Sequence, residues 1–395
     1  MINEKAYKLG SQRSSIRELF EYGRKRISEV GKENVLDFSL GNPSVPSPVE
    51  VEKAFAELIE TLPPLALHGY TSAPGCDEIR QAISLSLTRN FNFKVNPENL
   101  YITCGAAAAL TSVFSALTED SSSEFIAIAP FFPEYRCFAE VSGGKFKVVP
   151  ADEATFQINF DCLEKAITPS TKGVIVNSPN NPSGTVYSEE TIKKLATLLY
   201  DKSKEYGRPI FIIADEPYRE LVYGNIEVPF IPAYYDNTIV CYSYSKKLSL
   251  PGERIGYVLV PEKVNEWKKV FDAVAGSARM FGYVCAPSLI QRVIAKCVDV
   301  MPDLTVYERN RNLLYNSLTQ MGYYCANPDG AFYLFVKSPK GDGNYFSQLA
   351  KERDMLIVPG GPFGCENFVR LAYCVDTAVC EKSLPVFKEI INSLK

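Results

Sequence analysis

The sequence predicts an α/β fold, with a mostly parallel sheet covered by helices on both faces and a smaller α+β domain. Three short apolar runs are typical of buried strands: residues 173–177, 209–214 and 238–241. Between the first two, residues 188–206 show helical spacing, with Leu195 and Leu199 on one side. Continuous apolar strands separated by a helix indicate parallel strands that are buried on both faces. Ligands of such sheets bind beyond the carboxyl ends of the strands.

The flanking segments predict further elements. The uncharged run from Leu100 to Leu117 is interrupted by Gly105 and by hydroxyl residues. This pattern predicts a strand end, a turn and a buried helix, and it would insert poorly into a membrane. A long helical stretch begins near Lys263, and Pro287 is expected inside or between helices. Three later strands are predicted, the first entered through a turn: 329–336, 356–359 and 368–371.

Composition excludes several classes of protein. A chain of 395 residues is too long for one simple core and is expected to form two domains. A net charge of -4 argues against nucleic acid or a membrane surface as a partner. His68 is the only histidine, which excludes histidine triads and multi-histidine metal sites. The 11 cysteines contain no Cys-x-x-Cys pair, and no secretory signal pattern opens the chain, so a cytoplasmic protein with reduced thiols is expected.

The segment after the third predicted strand carries the chemistry. Ser243-Tyr244-Ser245-Lys246 is followed eight residues later by Arg254, in Gly252-Glu253-Arg254-Ile255-Gly256. Pyridoxal phosphate (PLP) chemistry requires an amine for the Schiff base and fixed donors for the phosphate. The segment resembles the Ser-x-Ser-Lys and Gly-x-Arg-x-Gly signature of the fold-type I, class I/II aminotransferases, which include aspartate aminotransferase. Further motifs of this family follow in family order along nearly the whole chain.

The resemblance implies a fold-type I PLP-dependent transferase with a composite small domain. Residues 1–50 are expected to join residues 285–395 in the small domain, and residues 51–284 are expected to form the large PLP-binding domain. Lys246 would bind the cofactor and then move the α-proton of the substrate. Lys247 is the rival amine, because adjacent side chains point in different directions. Family spacing to Arg254 selects Lys246.

Two further motifs imply contacts to the cofactor ring. Asp215-Glu216-Pro217-Tyr218 resembles the family Asp-x-x-Tyr motif, in which the carboxylate keeps the pyridine nitrogen protonated. Tyr218 would donate a hydrogen bond to the phenolic oxygen of PLP. Asn181, in Asn180-Asn181-Pro182-Ser183-Gly184, would donate to the same oxygen. A tight turn is the structural alternative for Asn181-Pro182 and is compatible with this role, and a cis peptide is predicted there.

The phosphate and the ring faces have their own candidates. Gly105, Ala106 and Ala107 follow a predicted strand and open a helix, so their backbone N–H groups can point at an anion. Ser243 and Arg254 would add a hydroxyl and a two-pronged cation. Phe132 matches the aromatic residue that stacks on the ring, whereas Phe131 is expected in the core. Tyr70 resembles the tyrosine that reaches the phosphate of the neighbouring subunit, which implies a homodimer with shared active sites.

Three residues match the substrate side of the family site. Arg370 resembles the arginine that binds the α-carboxylate, with a structural salt bridge as the alternative. Gly41 matches the N-terminal loop that lines the substrate, and Asn181 belongs to both the cofactor and the substrate set. A dicarboxylic substrate needs a second cation, for which the candidates are Arg279, Arg13 and Arg17. His68 is near the site in sequence, but a structural role is an equal alternative.

These motifs imply a PLP-dependent aminotransferase of amino-acid metabolism, with an acidic or broad range of L-amino acids as donors. A 2-oxo acid such as 2-oxoglutarate would accept the amino group by a ping-pong mechanism. A PLP-dependent β-eliminating C–S lyase is an open alternative, since motifs that hold the cofactor do not separate the two reactions. A non-catalytic, PLP-sensing regulator is a weaker alternative, because Lys246 and Arg370 are both present.

Overall fold

The computed structural model describes residues 2–11 and 15–394. Within these residues the α-helices are α1 (Glu4–Ser11), α2 (Ser15–Val30), α3 (Val49–Thr61), α4 (Pro64–His68), α5 (Asp77–Phe91), α6 (Ala106–Leu117), α7 (Glu134–Val141), α8 (Phe160–Ala166), α9 (Glu189–Tyr206), α10 (Tyr244–Lys247), α11 (Trp267–Met280), α12 (Ser288–Cys297), α13 (Thr305–Gln320), α14 (Gly343–Lys351) and α15 (Thr377–Ser393). The strands are β1 (Leu36–Asp37), β2 (Leu100–Thr103), β3 (Glu124–Ala129), β4 (Lys145–Pro150), β5 (Thr171–Asn177), β6 (Phe211–Asp215), β7 (Thr238–Ser243), β8 (Gly256–Leu259), β9 (Tyr333–Lys337), β10 (Met355–Leu356), β11 (Val358–Pro359) and β12 (Phe368–Ala372).

The chain divides into two compact units. The terminal unit comprises Met1–Ser44, Asn181–Gly184 and Leu304–Lys395, and the central unit comprises Val45–Asn180 and Thr185–Asp303. Helix α12 packs against α3 and α5, so it groups with the central unit. The domain division into 1–50, 51–284 and 285–395 stays a prediction, and the compact units divide elsewhere, after Ser44 and after Asp303.

The central unit contains a seven-stranded sheet in the order β2-β8-β7-β6-β5-β3-β4. The strand pairs from β7 to β4 are parallel, whereas β8 runs antiparallel to both β7 and β2. Every residue of β5, β6 and β7 is buried, which means that both faces of the sheet are covered. The predicted α/β fold with a mostly parallel sheet is therefore confirmed.

Local sequence signals explain where these elements begin. The Ser188 side chain accepts a hydrogen bond from the Thr191 N–H and caps α9, so the helix begins where its spacing predicted. The run from Leu100 to Leu117 forms β2, a turn and α6, as expected. Pro287 directly precedes α12 and lies between two helices. No helix in the described ranges is long and apolar enough to cross a membrane.

The terminal unit contains a three-stranded antiparallel sheet, β11-β12-β9, and a parallel pair, β1-β10. The prediction of one strand over 356–359 is wrong, because the chain passes from one sheet to the other there. Leu356 pairs with Asp37 of β1, and Val358 pairs with Arg370 of β12. The Ile357 carbonyl between them accepts a hydrogen bond from the Ser347 hydroxyl at 2.7 Å instead of joining a ladder.

Candidate active site

The carboxyl ends of β5, β6 and β7 lie side by side in the central unit. Asn177 of β5 pairs with Asp215 of β6, and Asp215 pairs with Cys241 of β7. Tyr218 lies three residues beyond the end of β6, and Lys246 lies three residues beyond the end of β7. The parallel register therefore brings three predicted cofactor residues to one edge of the sheet.

Asp215 is a buried carboxylate with one unsatisfied oxygen. Asp215 is only 4% exposed, and the Tyr135 hydroxyl donates a hydrogen bond to its Oδ2. The Asn177 amide donates to the Asp215 main-chain carbonyl at 2.9 Å. Asp215 Oδ1 is buried and has no hydrogen-bond partner among the residues that the structure describes. Such an oxygen is costly unless a ligand donates to it.

Burial raises the pKa of Asp215 to about 7, and the nearby Glu216 carboxylate contributes to the rise. The hydrogen bond from Tyr135 opposes this rise and favours the charged form. Burial and the negative charge of Asp215 also hold the pKa of Tyr135 well above its ordinary value. A cation beside Oδ1 would offset the cost of burial and keep Asp215 ionised.

Tyr135 and Asn177 belong to the site but were not among the predicted residues. The Phe132 ring lies 5.6 Å from the Tyr135 ring in a T-shaped pair, and it is half-buried. Phe131 packs edge-on against Phe146 in the core, as expected. Tyr135 lies three residues after Phe132 in the same aromatic motif, so the sequence could have indicated that it lies near the site. Its partner, however, is 80 positions away in sequence.

The predicted phosphate residues come together at the start of α6. Gly105 has φ 82°, and a Cβ atom built there would lie 2.7 Å from Arg254 Nη2. Ser243 and Gly256 are paired in the ladder between β7 and β8. A Cβ atom on Gly256 would lie 3.1 Å from Gly105 Cα. The absence of side chains at both glycines therefore allows Ser243, Arg254 and the start of α6 to meet.

Donors are available where these elements meet. The first N–H groups of α6, including those of Ala106 and Ala107, belong to the part of a helix that attracts anions. The Arg254 guanidinium is exposed and is oriented by the carbonyls of Pro251 at 2.8 Å and Cys104 at 3.4 Å. The buried Ser243 hydroxyl caps α10 through the Ser245 N–H. This set of donors can hold a phosphate group.

The adjacent lysines have different surroundings. Lys246 is partly exposed, whereas the Lys247 side chain is only 7% exposed. Lys247 Nζ donates to the Val298 carbonyl at 2.8 Å and lies 3.5 Å from a Glu220 carboxylate oxygen. These contacts hold the Lys247 ammonium in place. The selection of Lys246 by motif spacing stays a prediction.

The terminal unit gathers all three predicted substrate residues. Arg370 is 3% exposed, and its Nη1 donates to Asn181 Oδ1 at 3.2 Å. Its Nη2 donates to the Ser39 carbonyl at 2.6 Å. A Cβ atom on Gly41 would overlap the Tyr333 hydroxyl, and the Arg370 guanidinium lies 4.7 Å from the Tyr333 ring centroid. The Asn181–Pro182 peptide is cis, as predicted.

The remaining candidates are less enclosed. Tyr70 is 99% exposed, and the side chains of His68 and Arg279 are exposed as well. Arg279 makes no ion pair with the described residues. Arg17 is an exposed residue of α2. Arg13 lies outside the described residues. No cluster of metal-binding side chains occurs within residues 2–11 and 15–394.

Comparisons with known proteins agree on one family. The model of the family described as aminotransferase class I and II matches residues 33–386. A probable aspartate aminotransferase of Methanocaldococcus jannaschii is 30% identical over 392 residues, which cover 96% of this chain and 97% of that protein. Aromatic-amino-acid aminotransferase 2 of Thermococcus litoralis is 27% identical over 399 residues, with 97% and 96% covered.

Solved structures agree with this assignment. The crystal structure of an amino transferase from Eubacterium rectale is 57% identical and superposes with a TM-score of 0.98, covering 100% of this chain and 99% of that one. The predicted family and its fold-type I architecture are therefore confirmed. Because the family model spans nearly the whole chain, the protein belongs to the class I and II aminotransferases and is a PLP-dependent transaminase.

Proposed function

We propose that this transaminase moves the amino group of an L-amino acid, from an acidic or broad range of donors, to a 2-oxo acid such as 2-oxoglutarate. The first product leaves before the second substrate binds, which is a ping-pong sequence. The observation that carries this proposal is Asp215 Oδ1, a buried carboxylate oxygen without a hydrogen-bond donor in the described part of the chain. A pyridine N–H is the donor that this oxygen lacks.

The residues present fit PLP at both of its ends. Asp215 would bind the pyridine nitrogen, and a positive charge there would lower the pKa that burial has raised. Ser243, Arg254 and the N–H groups that follow Gly105 would hold the phosphate. Phe132 would cover one face of the ring. Tyr218 and Asn181 are proposed to donate to its phenolic oxygen.

PLP, when bound, supplies an aldehyde that takes up an amino group and a ring that accepts electrons from the substrate Cα. Lys246 is proposed to hold the cofactor and then to move the proton at Cα. Arg370, with Gly41 and Asn181 beside it, would bind and orient the α-carboxylate. Tyr135 orients Asp215 through its hydrogen bond, so that one carboxylate oxygen remains for the ring nitrogen.

Two properties of the assembly belong to the same proposal. Tyr70 is almost fully exposed, and we propose that it reaches the phosphate of a neighbouring subunit in a homodimer with shared active sites. A cytoplasmic location is proposed because none of the 11 cysteines forms a disulfide among the described residues.

The visible absorption spectrum of the PLP-loaded protein tests the reaction. Single L-amino acids are expected to bleach the band of the bound cofactor, and 2-oxoglutarate is expected to restore it. Release of pyruvate from cysteine or cystathionine without any oxo acid would instead identify a C–S lyase. Cofactor binding with neither change would indicate a sensor, and no bound chromophore in excess PLP would contradict the whole proposal.

Arg370→Lys tests the carboxylate contact. Lysine keeps the charge but loses the planar fork, so KM for the amino donor should rise about tenfold or more. The variant should still bind PLP and show its absorption band, because Asp215, Ser243 and Arg254, which are proposed to hold the ring nitrogen and the phosphate, are unchanged. Arg353→Lys is a matched control in the terminal unit, since Arg353 pairs with Glu389 on the surface at 2.9 Å. An unchanged KM in Arg370→Lys would show that this arginine has a structural role and does not bind the α-carboxylate.

Arg279→Asp tests the range of donors. The relatives named above include an aspartate and an aromatic-amino-acid aminotransferase, so their names support a broad range. If Arg279 binds a second carboxylate, the variant should lose aspartate turnover by about tenfold or more and keep alanine turnover. Lys268→Asp, on the same helix, controls for the change in net charge. Equal losses with both donors would exclude this role.

A further inference from the structure

A second concave region of the central unit lies away from the residues assigned to the cofactor. It is a cleft of about 950 Å³ at the end of α9, and it is also lined by residues just before β6 and β7. We call it the α9 cleft. Asp215 and Ser243 lie at the opposite ends of the same two strands. The cleft therefore belongs to the other edge of the sheet.

The α9 cleft is locally basic, although the chain carries a net charge of -4. Four basic side chains line it: Lys193, Lys204, Arg208 and Lys263. Among the described residues, Asp236 is the only acidic side chain in the lining. Lys193 pairs with Glu189 at 2.7 Å, and Lys263 lies 3.7 Å from Asp236. Lys204 and Arg208 form no ion pair with any part of the chain that the structure describes.

Arg208 has an unsatisfied donor. Its Nη2 is buried and has no hydrogen-bond partner in residues 2–11 or 15–394. The end of α9 does not need this side chain as a cap, because the backbone already supplies one. The Gly207 N–H donates to the Lys204 carbonyl at 3.4 Å, and the Arg208 N–H donates to the Ser203 carbonyl at 3.1 Å. A buried donor without a partner lacks an acceptor, which an anion or an ordered water can supply, and the positive charge of Arg208 favours an anion.

Aromatic side chains lie in the same cleft. Tyr200 of α9 is 63% exposed, and Tyr234 is half-buried. The Tyr235 hydroxyl donates to the Ile210 carbonyl at 2.7 Å, so its ring is held in place. Exposed aromatic faces beside free cations suit a ligand that has both a planar ring and phosphate groups. Nucleoside phosphates have this chemistry.

We propose that the α9 cleft binds a nucleoside phosphate, with Arg208 and Lys204 on the phosphates and Tyr200 against the base. The site is separate from the residues proposed to hold PLP, and the proposal does not depend on which donor the transaminase uses. ATP is the probe, because its triphosphate offers the most contacts to the two cations.

Isothermal titration of PLP-saturated protein with ATP tests the proposal, since saturation prevents ATP from occupying the cofactor residues. We expect one saturable site per chain. Arg208→Gln and Lys204→Gln should each weaken binding about tenfold or more, and Tyr200→Ala should also weaken it. Lys194→Gln removes one positive charge from the same helix outside the cleft and should have no such effect.

Three results would overturn the proposal. The first is an absence of saturable ATP binding. The second is an equal loss of affinity in Lys194→Gln, which would show that binding is nonspecific charge attraction. The third is tripolyphosphate binding as tightly as ATP, together with no effect of Tyr200→Ala, which would remove the base from the site. Lys204 is exposed, so Lys204→Gln keeps the test valid if Arg208→Gln fails to fold.

Discussion

Replacement of Lys246 with alanine is expected to abolish amino transfer while the protein stays folded. The reaction needs an amine that binds the cofactor and then moves the proton at Cα, and alanine can do neither. Proton transfer by a positioned group alone contributes roughly 10²–10⁴-fold, so the loss of kcat should be at least this large. The side chain is partly exposed, and its removal should change the melting temperature little.

The neighbouring lysine supplies the matched control. Lys247→Met removes an ammonium that contacts the Val298 carbonyl and the Glu220 carboxylate, and it leaves a largely buried negative charge behind. Breaking such a pair costs about 3 kcal/mol, so this variant should be less stable than Lys246→Ala. Its folded fraction should still show the absorption band of bound PLP and should still transfer amino groups.

The two variants are measured by melting temperature, by absorbance after PLP loading and by turnover of one amino donor. The expected pattern is a stable, inactive Lys246→Ala and a destabilised, active Lys247→Met. The reverse pattern would show that Lys247 is the catalytic lysine. Activity in both variants would show that the Ser-x-Ser-Lys segment does not supply the catalytic amine.

The sequence was most informative where one local pattern decided the structure. Apolar runs located the buried strands, and the register of parallel strands then placed Asp215 beside the end of β7. Family motifs predicted Ser243, Arg254 and Gly105, and glycine suits position 105 because a φ of 82° strains other residues. In these cases the determining contacts are backbone geometry and steric exclusion, which short segments encode.

Other features depend on partners far away in the sequence. The chain changes sheets at Ile357 because β10 pairs with β1, whereas β11 pairs with β12. The bond from Tyr135 to Asp215 joins different elements, and the same is true of the contact between Lys247 and Val298. The spacing of apolar residues along the chain does not specify contacts between polar side chains of distant elements, so these contacts were not predicted.

Asp215→Asn is expected to change both catalysis and the pH dependence of stability. Asparagine cannot keep the ring nitrogen protonated, so kcat should fall roughly 10²–10³-fold, as when a preorganised electrostatic partner is removed. Cofactor affinity should fall as well. Asp272→Asn is the control, because Asp272 is an exposed carboxylate paired with Lys268 at 3.1 Å.

The stability of the cofactor-free protein gives an independent readout. The pKa of Asp215 is raised from 3.8 to about 7 in the folded state. At pH values between these two, folded Asp215 therefore keeps a proton that the unfolded chain has lost. The stability contributed by this proton is complete below about pH 4 and is lost as the pH rises through about 7. The difference corresponds to about 4 kcal/mol.

Urea midpoints of the cofactor-free protein at several pH values from about 4 to about 8 measure this effect. The wild-type midpoint should fall toward neutral pH, and Asp215→Asn should lose this part of the slope, whereas Asp272→Asn should keep it. In wild type, PLP should stabilise the protein most at the upper end of the range, because a positive ring nitrogen supplies the partner that ionised Asp215 lacks. Equal slopes in Asp215→Asn and wild type would show that Asp215 is not the titrating group.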